Sequence, residues 1–162
     1  MKPKFLVQGA ITASLYALIT LAVAPISSGL MQLRISEAMA VLPYFTPAAV
    51  PGLFVGCLVS NLLLGAALPD IIFGSLSSLL AAFITFKLKE YMRPSLARCF
   101  APLSAVLINA LVIGWLLFDI YKVGSPFWVC AMYVALGQAL VCYGLGVPLL
   151  LLLERYKESL NL

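Results

Sequence analysis

Long apolar runs constrain this sequence more than any other feature. The first run, residues 5–24, contains no charged side chain. As a helix it would be about 30 Å long, which is the thickness of the hydrocarbon core of a bilayer. Hydrophobic residues make up 64% of the chain and charged residues only 10%, and a soluble domain of this size cannot bury so much apolar surface. The sequence therefore predicts an integral membrane protein and excludes a soluble or disordered chain.

The run pattern predicts an all-α fold with transmembrane helices. The second run is short and contains Pro43, whereas the sixth is long and contains Gly144, Gly146 and Pro148, which predict a tilt or a kink. We expect residues 1–162 to form a single six-helix transmembrane domain that binds substrate. The six predicted spans are residues 5–24, 35–45, 48–67, 71–86, 102–121 and 127–153.

The basic residues predict the orientation of this bundle. With six crossings and a cytoplasmic N-terminus, the outer side carries only Arg34 and Lys122. A re-entrant second run would weaken this bias, so the positive-inside rule favours a full crossing and places both termini in the cytoplasm. The basic residues on the cytoplasmic side are then Lys2, Lys4, Lys87, Lys89, Arg93, Arg98, Arg155 and Lys157.

Several functional classes are excluded or disfavoured. The chain has no Gly-Lys pair, so it has no ATP-binding phosphate loop of its own. It has no His and no CxxC pair, and the acidic residues lie at run ends rather than at mid-membrane, which disfavours an ion-driven pump. The scattered basic residues do not indicate nucleic-acid binding. We expect no enzyme activity and no cofactor or metal. We also expect that a partner protein supplies the energy for any transport. The acidic residues are Glu37, Asp70, Glu90, Asp119, Glu154 and Glu158.

Polar side chains that enter or adjoin the predicted spans define a candidate binding site. Polar groups are unfavourable in lipid and normally face the interior of a bundle, so we predict an outward-opening pocket. An aromatic ring near its mouth could stack on a flat ligand. The predicted substrate-binding residues are Arg34, Glu37, Asn61, Asp70, Asn109, Trp128 and Gln138.

Each of these residues also has an alternative explanation. Arg34 and Glu37 are three residues apart and could simply pair on one helix face. Asp70 could cap the fourth helix, and Trp128 could anchor its helix at the membrane interface. The three amides could be interhelical hydrogen bonds worth less than about 1 kcal/mol each.

Small residues at four-residue spacing provide a second signal, for close helix packing. Gly9, Ala13 and Ala17 lie on one face of the first helix, and Gly52 and Gly56 lie on one face of the third. Ala131, Ala135 and Ala139 repeat the spacing on the sixth. The spacing does not distinguish a stripe that packs internally from one that contacts a partner.

Four features closely resemble the QueT family over nearly the whole chain. They are residues 33–57 (LRISEAMAVLPYFTPAAVPGLFVGC), Pro69-Asp70 followed by Phe73-Gly74, Asn109, and residues 126–137 (PFWVCAMYVALG). The resemblance implies a substrate-binding S component of an energy-coupling factor (ECF) transporter, which imports queuosine precursors across a bacterial plasma membrane. It also implies three partner subunits: one transmembrane scaffold, which an AxxxA motif matched by Ala13 and Ala17 contacts, and two ATP-binding subunits.

The implied ligand suits the predicted site. A 7-deazaguanine base is flat and presents a ring N–H beside an exocyclic amine, so one carboxylate can accept both hydrogen bonds. Glu37 is the preferred carboxylate, and Asp70 could meet a cationic aminomethyl group. The family usually has Glu where this chain has Gln138, and the amide removes one negative charge. The alternatives are a self-sufficient small secondary transporter or channel and a ligand-free structural membrane protein.

Overall fold

The computed structural model describes residues 3–27 and 33–156, and within these ranges the ordered backbone is entirely helical. The predicted basic residues Lys2 and Lys157 lie outside the described residues, as does Glu158. The helices are α1 (Pro3–Ala22), α2 (Ala24–Ser27), a 3-10 helix (Ile35–Tyr44), α3 (Ala49–Leu63), α4 (Ser75–Tyr91), α5 (Pro94–Trp115), α6 (Phe127–Val141) and α7 (Val147–Arg155). Three π-helical turns adjoin them, at Asp70–Gly74, Leu116–Ile120 and Cys142–Gly146.

Four helical stretches are long and apolar enough to cross a membrane. A fifth apolar helix, α3, is shorter. Large apolar side chains such as Leu6, Leu111 and Leu140 point away from the bundle and are more than half exposed, as lipid-facing residues are. The predicted all-α membrane protein is therefore confirmed, and the count of six crossings stays a prediction. The four long stretches are Pro3–Ala22, Asp70–Tyr91, Leu96–Ile120 and Phe127–Arg155.

The run predicted as the second span forms the 3-10 helix Ile35–Tyr44, which we call the central helix. At about 2 Å per residue it is roughly 20 Å long, shorter than the hydrocarbon core. Nearly all of its side chains are buried, and it contacts α1 and every helix from α3 to α7. Irregular backbone is tolerated at membrane depth where protein surrounds it. The central helix therefore forms the core around which the other helices pack.

Several helix ends differ from the predicted runs. The fourth run was predicted to end at residue 86, but α4 continues to Tyr91. The third run was predicted to reach residue 67, but α3 ends at Leu63 because Gly65 adopts a left-handed conformation with φ of 64°. The N–H of Ala66 then donates to the carbonyl of Asn61, which closes the helix end. α5 begins at Pro94 and not at the predicted residue 102. The third π turn includes Gly144 and Gly146, where a kink or tilt was predicted.

Small residues bring α1 and α3 into close contact. A Cβ placed on Gly52 would lie 2.8 Å from the carbonyl oxygen of Gly9, and one on Gly56 would lie 2.9 Å from that of Ala13. The glycines therefore allow the two backbones to approach each other directly. The stripes predicted on these two helices pack against each other.

The charged residues separate to the two ends of the bundle. At one end, Arg98 pairs with Glu154 at 3.1 Å and Lys89 lies over the ring of Tyr44. We call this the basic end; it also contains Lys4, Lys87, Arg93 and Arg155, by their places at the helix termini. The opposite end, where Arg34, Asp70 and Lys122 lie, is called the polar end. This separation agrees with the predicted charge bias and leaves the orientation in the membrane a prediction.

Candidate functional site

Glu37 lies in the first turn of the central helix and is only 3% exposed. Its Oε1 accepts a hydrogen bond from the phenol of Tyr16 on α1 at 2.5 Å. The hydroxyl of Ser78 on α4 lies 3.3 Å from the same oxygen. Among the described residues no hydrogen-bond donor reaches Oε2. The structure therefore holds a buried carboxylate with one oxygen available, which sequence analysis had placed at the end of a run.

Glu37 and Gln138 are joined through Cys142. The thiol of Cys142 lies 3.6 Å from the backbone carbonyl of Glu37 and 3.7 Å from Oε1 of Gln138. Gln138 is 2% exposed. Gly146 in the same π turn allows this approach, because a Cβ there would lie 3.2 Å from the carbonyl oxygen of Ala38. The two predicted site residues therefore lie near each other where α6 passes the central helix.

Arg34 and Asn61 form the second part of the site. The guanidinium of Arg34 donates to Oδ1 of Asn61 at 2.9 Å, and Nδ2 of Asn61 donates to the backbone carbonyl of Asp70 at 3.2 Å. Gly74 leaves room for both side chains, since a Cβ there would lie 3.3 Å from Nδ2 of Asn61. The ion pairs within 4.0 Å in the described chain do not include Arg34 with Glu37. Arg34 therefore does not pair with Glu37 on one helix face, because it bonds the Asn61 amide instead.

Asp70 faces Tyr121 and does not cap its helix. The phenol of Tyr121 donates to Oδ2 of Asp70 at 2.5 Å, while the π turn that begins at Asp70 has no side-chain cap. A tyrosine phenol is protonated at physiological pH, so Tyr121 is the donor in this bond. This bond joins the π turn before α4 to the π turn after α5.

Asn109 on α5 is buried, with 3% of its surface exposed. Its Oδ1 accepts a hydrogen bond from Ser77 on α4 at 2.7 Å. Its Nδ2 is fully buried and has no hydrogen-bond partner among the described residues. The contact with Ser77 is the interhelical bond of the alternative explanation, but that bond leaves two amide protons unused.

Trp128 lies apart from these contacts. It is 74% exposed at the start of α6, and its ring packs edge-on against Phe127 with centroids 4.8 Å apart. This environment is typical of a membrane-interface anchor. Its predicted role as a ligand platform stays a prediction.

Ala13 and Ala17, the predicted partner contacts, occupy different environments. Ala13 lines an apolar surface groove of about 200 Å³ between α1 and α3. Ala17 is 8% exposed and lies within the bundle. The groove leaves Ala13 accessible from the membrane, and the scaffold-binding role of both residues stays a prediction.

Sequence reasoning missed four hydroxyl-bearing residues that contact the predicted site. Tyr16 and Tyr121 bond the two carboxylates, and Ser77 and Ser78 bond Asn109 and Glu37. The Ser-Ser pair and a lone Tyr in an otherwise apolar run were visible signals. What the sequence lacked was the helix pairing that turns these hydroxyls toward the site. Within the described residues, no cluster of three or more potential metal ligands is present.

The apolar helices and the buried polar groups between them define a helical membrane protein with a polar interior. A family model confirms this and is more specific: the QueT transporter model matches residues 6–155, so the chain belongs to the QueT transporter family. No curated protein and no solved structure matches the chain.

Proposed function

We propose that this chain is the substrate-binding S component of an ECF-type importer in a bacterial plasma membrane. It captures a queuosine precursor, a 7-deazaguanine base, from outside the cell. In this proposal the chain is one six-helix domain with both termini in the cytoplasm, and the polar end faces outward. Membership in a transporter family and the buried polar groups between the helices support it.

The observation that carries the proposal is the buried carboxylate of Glu37. Its Oε2 has no donor among the described residues, and the Ser78 contact to Oε1 is long for a hydroxyl donor. A ring N–H and an adjacent exocyclic amine can therefore bond this carboxylate in a bidentate manner. Gln138 lies near the backbone of Glu37, because the thiol of Cys142 contacts both residues.

Asp70 and Arg34 supply charge at the polar end. Asp70 is half-buried, and Tyr121 contacts its Oδ2, so a cationic substituent on the base can meet this carboxylate. Glu37, Asn61, Asn109 and Gln138 are each at most 5% exposed. A base reaches them only if the covering residues at the polar end move, so we expect binding to require opening there.

Energy for uptake comes from partner subunits in this proposal. We expect a transmembrane scaffold and two ATP-binding subunits, with the scaffold contacting Ala13 and Ala17. The groove between α1 and α3 supports the contact at Ala13, because its apolar lining and small residues fit another membrane helix. Ala17 is 8% exposed and does not line this groove.

The test of the transport class is uptake of a labelled 7-deazaguanine into proteoliposomes. We expect no uptake by the chain alone, and ATP-dependent uptake once the scaffold and both ATP-binding subunits are added. Uptake by the chain alone under a proton gradient would contradict the proposal.

One observation favours a second candidate, an ion-coupled secondary transporter. A carboxylate buried inside a membrane bundle and bonded to a phenol is a common element of proton relays, and Glu37 with Tyr16 has this form. The same proteoliposome experiment separates the two candidates, because a secondary transporter needs neither ATP nor partners.

A further inference from the structure

Helices α4 and α5 make two buried polar contacts, and one of them is well satisfied. The hydroxyls of Thr85 and Ser104 lie 2.6 Å apart, and each also lies near a backbone carbonyl that can accept its proton. Both residues are buried. This contact shows that two hydroxyls suffice to join these helices without leaving a polar atom unpaired.

The second contact, between Ser77 and Asn109, leaves a donor unsatisfied. Oδ1 of Asn109 bonds Ser77, whereas Nδ2 is buried and no partner for it lies in the part of the chain that the structure describes. A buried unpaired donor destabilises a fold by about 1–3 kcal/mol. The Thr85–Ser104 contact joins the same two helices without this penalty. The amide therefore indicates a role beyond helix packing.

Asn109 and Glu37 contact adjacent residues of α4. Ser77 and Ser78 are neighbours on α4, and they bond Asn109 and Glu37 respectively. The amide donor and the carboxylate acceptor are thus held by the same turn of one helix. A guanine-type base presents, in sequence along one edge, an amine, a ring N–H and a carbonyl oxygen. A carboxylate beside an amide N–H₂ is complementary to that edge.

We propose that Nδ2 of Asn109 binds the carbonyl oxygen of the base, and that Ser77 is the positioning residue that orients the amide. This inference rests on the proposed function and assigns the specificity of the same site. Such a site requires a strong acceptor at the carbonyl position of the base. It distinguishes an oxo base from a thioxo base that is otherwise identical, because sulfur is the weaker acceptor.

The orientation of the Asn109 amide depends on where the Ser77 proton goes. The Ser77 hydroxyl lies 2.7 Å from Oδ1 of Asn109 and 2.8 Å from the carbonyl of Gly74. When it donates to Asn109 it faces Oδ1, whereas when it donates to Gly74 its oxygen can accept from Nδ2 of the reversed amide. With Oδ1 toward Ser77, Nδ2 faces the ligand and favours a carbonyl. The reversed amide would present Oδ1 and repel a carbonyl. The preference of the protein for the oxo or the thioxo base therefore shows which atom of the Asn109 amide faces the ligand.

The experiment is calorimetric titration of the purified full-length protein in detergent with 7-cyano-7-deazaguanine and its 6-thioxo analogue. Both ligands keep the ring N–H and the exocyclic amine that face Glu37. We expect the wild-type protein to bind the oxo base about tenfold more tightly than the thioxo base. This is the change in affinity expected for the loss of one hydrogen bond. We expect Asn109→Ser to lose this preference and Ser77→Ala to reduce it. Ser104→Ala, which removes a buried hydroxyl from the same helix pair, should keep it.

The outcomes separate the two proposals. If the wild-type protein binds neither base, the proposed function fails. If it binds both bases equally, or prefers the thioxo base, the function stands and the role of Asn109 is overturned. The role is also overturned if Asn109→Ser keeps the tenfold preference. The wild-type comparison needs no substitution, so a variant that fails to fold does not remove the test.

Discussion

Tyr16 donates a hydrogen bond to Glu37 at 2.5 Å, and this contact joins α1 to the central helix. Tyr16 is 1% exposed and also packs in an apolar cluster with Met39 and Leu53. The ring therefore supports the core while its hydroxyl fixes the carboxylate. Through Tyr16, the packing of α1 on α3 determines where the proposed ligand-binding oxygen lies.

We expect Tyr16→Phe to lower stability by about 1.5–3 kcal/mol, the usual worth of a hydrogen bond to a charged group. Binding of a 7-deazaguanine should also weaken, because Glu37 loses its positioning donor. Thermal unfolding in detergent and calorimetry measure the two effects. Tyr143→Phe is the matched control, since its hydroxyl bonds the Cys99 carbonyl at an exposed position. Equal effects from the two variants would contradict this account.

The close contact between α1 and α3 gives a second prediction. A Cβ on Gly56 would lie 2.8 Å from Cβ of Tyr16 and 2.9 Å from the Ala13 carbonyl oxygen. Gly56→Ala should therefore force the helices apart and lower stability by about 1–3 kcal/mol. It should also weaken ligand binding by displacing Tyr16.

The control for this substitution is Gly144→Ala. No heavy atom lies within 4 Å of a Cβ at Gly144, and its φ is not positive. We expect its melting temperature to stay near that of the wild-type protein. A Gly56→Ala protein that is as stable as Gly144→Ala would show that the helices do not pack as described.

The bond between Tyr121 and Asp70 gives a third prediction. We expect Tyr121→Phe to change stability by less than about 1.5 kcal/mol, because the pair is partly exposed. Its larger effect should be kinetic: the two π turns are no longer joined, so a bound base should dissociate faster. Stopped-flow competition measures this rate. Tyr133→Phe, an exposed tyrosine on α6, is the control, and an unchanged dissociation rate in Tyr121→Phe would contradict a gating role.

Much of the fold follows from hydrophobic patterning. Apolar runs predicted an all-helical membrane protein, since length and composition alone determine that class. The central helix was harder to predict, because periodicity does not distinguish a short 3-10 helix from a short α-helix. The early end of α3 depended on Gly65, whose left-handed conformation is a property of one turn.

The candidate residues of the site could be identified from the sequence, but the residues that they contact could not. Glu37, Asn61, Asn109 and Gln138 stand out as polar groups in apolar runs, and the structure buries all of them. Their partners depend on tertiary packing. Arg34 could bond Glu37 three residues away, yet it bonds Asn61, which is 27 residues away. Trp128 shows the converse, since an aromatic residue near a helix end has the same sequence signal whether it binds ligand or faces lipid.

The orientation proposed for the bundle gives a fourth prediction. In a cysteine-free background, Glu90→Cys at the basic end should react with a membrane-impermeant maleimide only after the membrane is opened. Lys122→Cys at the polar end should react in intact cells. Reaction of both cysteines from the same side would contradict the predicted crossing pattern.

The central claim is that Glu37 binds a 7-deazaguanine base. The most direct measurement is calorimetric titration of the purified protein with the nitrile and aminomethyl 7-deazaguanines, with riboflavin as an unrelated flat ligand. We predict sub-micromolar binding of at least one deazaguanine, no binding of riboflavin, and loss of binding in Glu37→Ala. A folded wild-type protein that binds no deazaguanine, or a Glu37→Ala variant that binds as tightly as the wild type, would contradict the account.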